Sequence, residues 1–319
     1  MLGWTNQRPK STCLSGDFRP TTTQVKNDMW FIGVDGGGSK CRALISDEKG
    51  RTLGVGLGGP ANPLHGYEQA VASVMSAIRD ALHDAGLERR ALTESIACLG
   101  LAGVNLPSLR QRMLAWQHPF AGLHLVTDLH IACRAAHDGG DGAVIISGTG
   151  SCGVAVVGDT ETIFGAHGFP MGDKGSGAWL GLEALRYYLL ADDGFVERGA
   201  LYKAFQQHFQ TDDALAIIEV MAGKGSSAYA ALAKLVFNSA EQHDEHAIAM
   251  LKDGANYLDQ LADKLLRCGP PRLTMVGGLT ECWQPWLRAD IAAQLEPALI
   301  APEAAAAKLA HAQAHKRSA

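Results

Sequence analysis

Asp35 closes an apolar run and is followed at once by Gly36, Gly37, Gly38, Ser39 and Lys40. A tight turn of small residues bares successive backbone N–H groups, and such donors cradle phosphate oxygens. Glycine suits the task because no Cβ blocks a close approach. A carboxylate beside such a turn suits Mg²⁺, held directly or through water; a turn aspartate also caps its own backbone. A second stretch, "SGTGSCGV" (147–154), offers Gly148, Thr149, Gly150 and Ser151. The hydroxyls of Ser39, Thr149 and Ser151 add donors. Two such turns facing each other would grip a polyphosphate from both sides.

Two familiar phosphate motifs fail on spacing. Gly33 and Gly38 start like a P-loop, but Ser39-Lys40 inverts its Lys-Ser/Thr order, and Cys41 stands where a dinucleotide fingerprint needs its third glycine. Both of those motifs also lead into a helix, whereas these turns join strand to strand.

The elements that must hold these residues alternate between strands and helices. Apolar spacing predicts strands at 30–35, 41–46 and 52–57, then a helix at 66–86 with Val71, Val74, Ile78 and Leu82 on one face. A buried strand follows at 95–101, a helix near 106–117, a strand at 123–127 and a helix at 129–137. The pattern restarts with strands at 143–147, 152–157 and 161–166. From Gly175 to about 267 the chain reads as mostly helical, with Ile248, Leu251, Ala255, Leu258, Leu261 and Leu265 forming a core-facing stripe. A last strand, "RLTMVGG", precedes a helix at 281–295. This order implies an α/β protein with mixed sheets.

The restart is an internal duplication. Shifted by 112 residues, "FIGVDGGGSKCRALISD" (31–47) lies on "AVIISGTGSCGVAVVGD" (143–159), pairing Gly36 with Gly148, Gly38 with Gly150, Ser39 with Ser151, Ala43 with Ala155 and Asp47 with Asp159. Two similar halves, each with a glycine hairpin, imply a cleft between two domains.

Composition narrows the function. A net charge of −5 over 319 residues lacks the basic stripe of a nucleic-acid surface. No apolar run approaches the roughly 20 residues that span a bilayer. Seven cysteines without a C-x-x-C pair read as reduced cytosolic thiols, which points to the cytoplasm. Residues 1–28 are polar and lack the apolar core of a secretory signal. They read as a disordered extension, or as sequence upstream of a true start at Met29.

The glycine hairpins resemble the two phosphate motifs of the sugar kinase/Hsp70/actin superfamily. Within it the chain is similar to the BadF/BadG/BcrA/BcrD-type ATPase family, and most of all to its amino-sugar kinases. The matching stretches, in family order, are "GVDGGGSKCRALI", "GGPANPLHGYE", "LGLAGVN", "HPFAGLHLVTD", "SGTGSCGV", "GFPMGDKGSGAWLG" and "MVGGLTECWQPWL", spanning about residues 30–290. The resemblance implies two actin-like (ribonuclease H-like) domains around a central cleft. The first would be 29–138, with a C-terminal helix at 302–316 packing back on it; the second would be 139–300 with a helical insert. It implies ATP, Mg²⁺ and an amino sugar as partners, phosphorylation of the 6-hydroxyl of glucosamine, and leaves a homodimer open.

Site roles follow position by position from the same resemblance. Asp128 matches the catalytic carboxylate, which also touches the sugar; read alone, it is also an N-cap for a helix starting at 129. Asn62 matches a sugar-binding amide, flanked by turn prolines. Gly103 would let the sugar pack on backbone, Asp173 matches an aspartate near the sugar that either touches it or orders its loop, and Thr149 would meet phosphate and sugar. Gly277 and Gly278 match the adenosine motif, and Lys40 is an optional phosphate contact; Asp35, from its place beside the glycine turn, is the expected metal ligand. The C-terminal "PALIAPEAAAAKLAHAQAHKRSA" departs from the family, which ends in a strand and a helix carrying an Asp and a Gly-Ala pair.

Other functions compete. N-acetylglucosamine kinase differs only in what surrounds the 2-amino group. The family's iron–sulfur branch, ATPases that activate reductases or dehydratases, needs cysteine thiolates at a dimer face; Cys152 follows a glycine turn but sits inside the phosphate hairpin. A sugar-responsive regulator would need a DNA-binding domain, for which residues 1–28 are too short. His243 and His246 read as a solvated helix face.

Overall fold

The computed structural model describes residues 29–317, apart from Ser39 and Asp159. The readings made above for residues 1–28, Ser39 and Asp159 lie outside the described residues. The first half runs β1 (Trp30–Gly36), β2 (Cys41–Ser46), β3 (Thr52–Gly58), α1 (Tyr67–Asp84), β4 (Ser95–Leu101), α2 (Pro107–Leu114), β5 (Gly122–Thr127) and α3 (Asp128–Ala136). The second runs β6 (Gly142–Ser147), β7 (Ser151–Val157), β8 (Thr160–Gly165), α4 (Gly177–Asp192), α5 (Ala200–Phe209), α6 (Ala214–Met221), α7 (Ser226–Ala230), α8 (Ala233–Glu241) and α9 (Glu245–Leu266). It closes with β9 (Leu273–Val276), α10 (Thr280–Trp283), α11 (Ala289–Ala292), β10 (Leu295–Glu296) and α12 (Pro302–Arg317).

Two five-stranded mixed sheets result, ordered β3-β2-β1-β4-β5 and β10-β9-β6-β7-β8. In each, an antiparallel meander continues into parallel strands, so the two sheets repeat one topology. The duplication is therefore real at the level of the fold, but one 112-residue shift does not hold for both strands of a hairpin. Gly36 pairs with Cys41 across a four-residue turn, whereas Ser147 pairs with Ser151 across a three-residue turn. Under the shift, 147 and 151 correspond to 35 and 39, yet Asp35 pairs with Arg42. The matches on the second strand, Ala43 with Ala155 among them, are thus offset by three residues.

Alternation along β1 sorts its side chains between two helical layers. Ile32 and Val34 join Val74, Ala77, Ile78 and Ala81 of α1. Phe31 joins Ile131 of α3 and Ala306, Ala310 and Ala314 of α12. The second sheet meets α3 as well, through Cys133 and Ala136 against Val144, Val154 and Val156. Helix α3 is thereby wedged between the sheets, which fixes its N-terminal residue, Asp128, at their junction. The opposite face of the second sheet supports the helical insert, where Leu251, Ala255, Leu258, Leu261 and Leu265 are buried; Ile248 only partly so.

Two local expectations are corrected. The helix predicted over 281–295 is broken into α10, a 3₁₀ turn at 284–286, α11 and the short β10. Pro285 has no N–H to donate and its ring crowds the carbonyl four residues back. The Asp259 carboxylate also accepts the backbone N–H of Arg288 at 3.1 Å, anchoring the break. The C-terminal departure costs no packing, because α12 lies across β1 and β4 on a stripe of alanines. The required close approach comes from the strand: a Cβ on Gly33 would stand 2.0 Å from the Glu303 carbonyl oxygen.

Candidate active site

The parallel strands β1, β4 and β5 end together, with Gly36 opposite Leu101 and Leu101 opposite Thr127. Open α/β sheets bind ligands beyond such carboxyl ends. A cleft of about 380 Å³ opens there against the second sheet, and Asn62, Gly103, Asp128, Gly148, Thr149, Gly150, Ser151 and Asp173 line it. Eight candidates scattered over 112 residues of sequence are thus brought to one wall-to-wall space.

Backbone bonds weld the first turn to the neighbouring loops. Gly36 O accepts the Ala102 N–H and Gly37 O accepts the Ala61 N–H, each at 2.9 Å. These bonds seat Gly103 and Asn62 beside the turn. Asn62 Oδ1 accepts from Leu64 N at 2.9 Å, capping a short 3₁₀ turn, so it holds its loop while its amide borders the cleft. Gly103 has φ +81°, and a Cβ there would meet Asn62 Oδ1 at 2.4 Å, which leaves room for glycine alone.

The two turns offer fewer free donors than a bare glycine run suggests. Gly37 N–H donates to Lys40 O at 2.9 Å and Gly148 N–H to Gly150 O at 3.0 Å, each closing its own turn. The N–H groups of Gly38, Thr149 and Gly150 have no acceptor among the described residues. The second turn is braced from behind: Gly148 O and Thr149 O accept from Gly177 N and Ala178 N at the start of α4. Ser147 Oγ donates to Gly175 O at 2.8 Å and accepts from Trp283 Nε1 at 3.0 Å. Gly277 and Gly278 run alongside, outside the cleft lining, with Gly278 N 3.7 Å from where a Gly148 Cβ would be. Lys40 is exposed at the rim of the first turn.

Three carboxylates set the electrostatics. Asp128 is the first residue of α3, and the N-cap is Thr127, whose hydroxyl accepts from His130 N at 3.0 Å. The N-cap alternative for Asp128 therefore gives way to Thr127, leaving its carboxylate to the cleft. Burial pushes its pKa above the usual carboxylate range, partly offset by the Leu129 N–H at 2.9 Å. Asp35 is pushed up to about 6, first by burial, then by the charges of Asp128 and Glu303. Among the described residues no hydrogen-bond donor reaches the Asp35 carboxylate. Asp128 and Glu303 each have a donor of their own, whereas Asp35 faces their charges with none, an environment that a divalent cation would complete. Asp173 is also raised by burial; it adopts φ 62° and accepts Gly168 N at 3.2 Å, with Oδ2 directed at Gly150.

Sequence reasoning passed over Asn105, Ala166 and Gly168, which join the lining from loops. Asn105 ends the quoted "LGLAGVN" stretch, so its motif carried the signal. Cys152 lies in the same wall, 5 % exposed, and burial with the nearby charges of Asp128 and Asp173 pushes its thiol up to about 12. That is the opposite of the lowered pKa a thiolate ligand needs. His246 packs against the Tyr187 ring, tilted by 34° at 4.6 Å between centroids. The six cysteines among the described residues are free thiols, and no helix among those residues is long and apolar enough to cross a membrane.

Known proteins give the same picture. The chain is 34% identical to the glucosamine kinase GspK of Vibrio cholerae over 261 residues, covering 81% of this chain and 87% of that one. It is 25% identical to the N-acetyl-D-glucosamine kinase of Dictyostelium discoideum, over 74% of this chain and 79% of that one. Its fold superposes on a candidate N-acetylglucosamine kinase from Chromobacterium violaceum with a TM-score of 0.83 and 28% identity, covering 89% of this chain and 99% of that one. These likenesses, the paired sheets and residues 32–294, which match the family throughout, establish that the chain belongs to the BadF/BadG/BcrA/BcrD ATPase family.

Proposed function

We propose that the protein is an ATP-dependent amino-sugar kinase that phosphorylates the 6-hydroxyl of glucosamine. The observation that carries this reading is Asp128: a half-buried carboxylate at the junction of the two sheets, sharing one cleft with the second glycine turn. Its raised pKa suits it to accept or orient a hydroxyl proton, a task worth roughly 10²- to 10⁴-fold. Asn62, Gly103 and Asp173 would seat the sugar. The free N–H groups of Gly38, Thr149 and Gly150 would hold phosphate oxygens, with Lys40 at the rim and Gly277-Gly278 against the nucleoside, while the Ser151 hydroxyl, donating to Lys174 O at 2.7 Å, would brace the turn. Asp35 would hold Mg²⁺, which when bound neutralises charge on the nucleotide phosphates. Phosphoryl transfer asks chiefly for such positioning and charge neutralisation. Residues 29–138 with 302–316, and residues 139–300, would be the two lobes that close to exclude water.

Glucosamine is favoured over N-acetylglucosamine by charge. The side chains lining the cleft include two carboxylates and no Lys, Arg or His, which suits a sugar bearing an ammonium. The second reading, N-acetylglucosamine kinase, draws support from the Chromobacterium likeness. Use of ATP and the free thiols of the described cysteines support a cytoplasmic enzyme. A coupled ADP-release assay with glucosamine, N-acetylglucosamine, glucose and no sugar decides. The reading expects turnover with glucosamine above all; sugar-independent ATP hydrolysis at the same rate would remove it.

A further inference from the structure

Asp35 and Arg42 stand directly opposite each other across β1 and β2, and directly opposed residues point to the same face of a sheet. Unconstrained, that guanidinium would pair with that carboxylate and compete with any cation. The structure turns it elsewhere. Arg42 Nε donates to Glu303 Oε1 at 2.8 Å, across 261 residues of chain. Glu303 is in the first turn of α12 and its side chain is only 4% exposed, while that of Arg42 is 45% exposed. The backbone of the same residue presses on Gly33, two positions before Asp35 and on the same face. A carboxylate buried this deeply, on a helix whose packed stripe is alanine, needs a reason beyond packing.

We infer that Glu303 is a positioning residue of the nucleotide–metal site: it holds the Arg42 guanidinium off Asp35, leaving that carboxylate open to the divalent cation. The inference rests on the proposed metal role of Asp35. It makes the C-terminal helix part of the active-site wiring, although α12 contributes nothing to the cleft lining. Lys40 and Asp128 complete the charges acting on Asp35.

The test uses ADP as probe and needs no turnover. Calorimetry gives the ADP dissociation constant of the full chain with and without Mg²⁺, and the ratio isolates the metal contribution from general loss of binding. A cross-strand charge pair is worth up to about 1 kcal/mol, which is roughly fivefold. Glu303→Gln should therefore lower the Mg²⁺ ratio by about fivefold as Arg42 swings to Asp35. Arg42→Gln should leave the ratio equal or larger, and the double variant should restore it to within about twofold of the parent. Asp35→Asn should abolish the ratio. A Glu303→Gln ratio equal to the parent's, or equal losses in Glu303→Gln and Arg42→Gln, would overturn the inference while leaving Asp35 as ligand. An Asp35→Asn variant that keeps the full ratio would take down the metal assignment itself, and the inference with it. Should Glu303→Gln fail to fold, the sign of the Arg42→Gln change still decides.

Discussion

Replacing Gly33 by alanine tests how α12 is seated on the first sheet. The added methyl would lie 2.0 Å from the Glu303 carbonyl oxygen and 2.3 Å from Ala307 N. Ordinary contact begins at 3.4 Å, so the helix must retreat by roughly 1.4 Å. Both obstructing atoms are helix backbone, and no rotamer change moves them aside. Overpacking of this kind costs about 1–3 kcal/mol, and a clash with backbone belongs at the top of that range. At about 2–4 °C per kcal/mol for chains of this order, the melting temperature should fall by roughly 6–12 °C. Urea unfolding and thermal melts measure the loss, and limited proteolysis should then cut first before α12. Gly38→Ala is the control: a Cβ there meets nothing within 4 Å, so stability should stay within about 0.5 kcal/mol. A Gly33→Ala variant as stable as that control would refute the seating of α12 and, with it, the route from Glu303 to Asp35.

Other expectations follow from the same geometry. Gly103→Ala places a Cβ at φ +81° and 2.4 Å from Asn62 Oδ1, so the sugar KM should rise about tenfold or more with the ATP KM little changed; equal KM values would mean this loop does not border the sugar. Asp35 carries a folded-state pKa of about 6 against a usual 3.8, so its contribution to stability is full below about pH 4 and lost as pH rises through 6. Relative to Asp35→Asn, the metal-free parent should thus lose about 2–3 kcal/mol between pH 4 and pH 8. Urea midpoints at both pH values check this, and parallel profiles for the two proteins would contradict it. Gly150→Ala would set a methyl 2.7 Å from Asp173 Oδ2, so binding of sugar, read by calorimetry, should weaken severalfold while the fold survives.

Much of the fold was legible because its signals are local. Apolar runs placed every strand of the two sheets but the two-residue β10, and the 3–4 spacing from Leu251 to Leu265 marked the helix that is α9. The duplicated hairpin was visible, yet the three-residue offset between its second strands was not, since identical glycines mask which residues pair. Pro285 stood in plain view inside the helix expected over 281–295, and the apolar pattern around it outweighed the breaker. Asp128 was legible as a carboxylate at a strand end, but not that Thr127 would take over capping, because adjacent Thr and Asp are equally competent caps. The link between Arg42 and Glu303 had no sequence signal at all. It depends on strand register and on a helix returning from the far end of the chain, both properties of the assembled fold.

The central claim is that Asp128 acts on a hydroxyl held in the cleft it shares with the second turn. Single-turnover phosphate transfer by Asp128→Asn, with glucosamine and ATP affinities measured alongside, tests it most directly. The account predicts affinities within about threefold of the parent and transfer slower by roughly 10²- to 10⁴-fold. Transfer at the parent's rate, with both ligands bound, would contradict it.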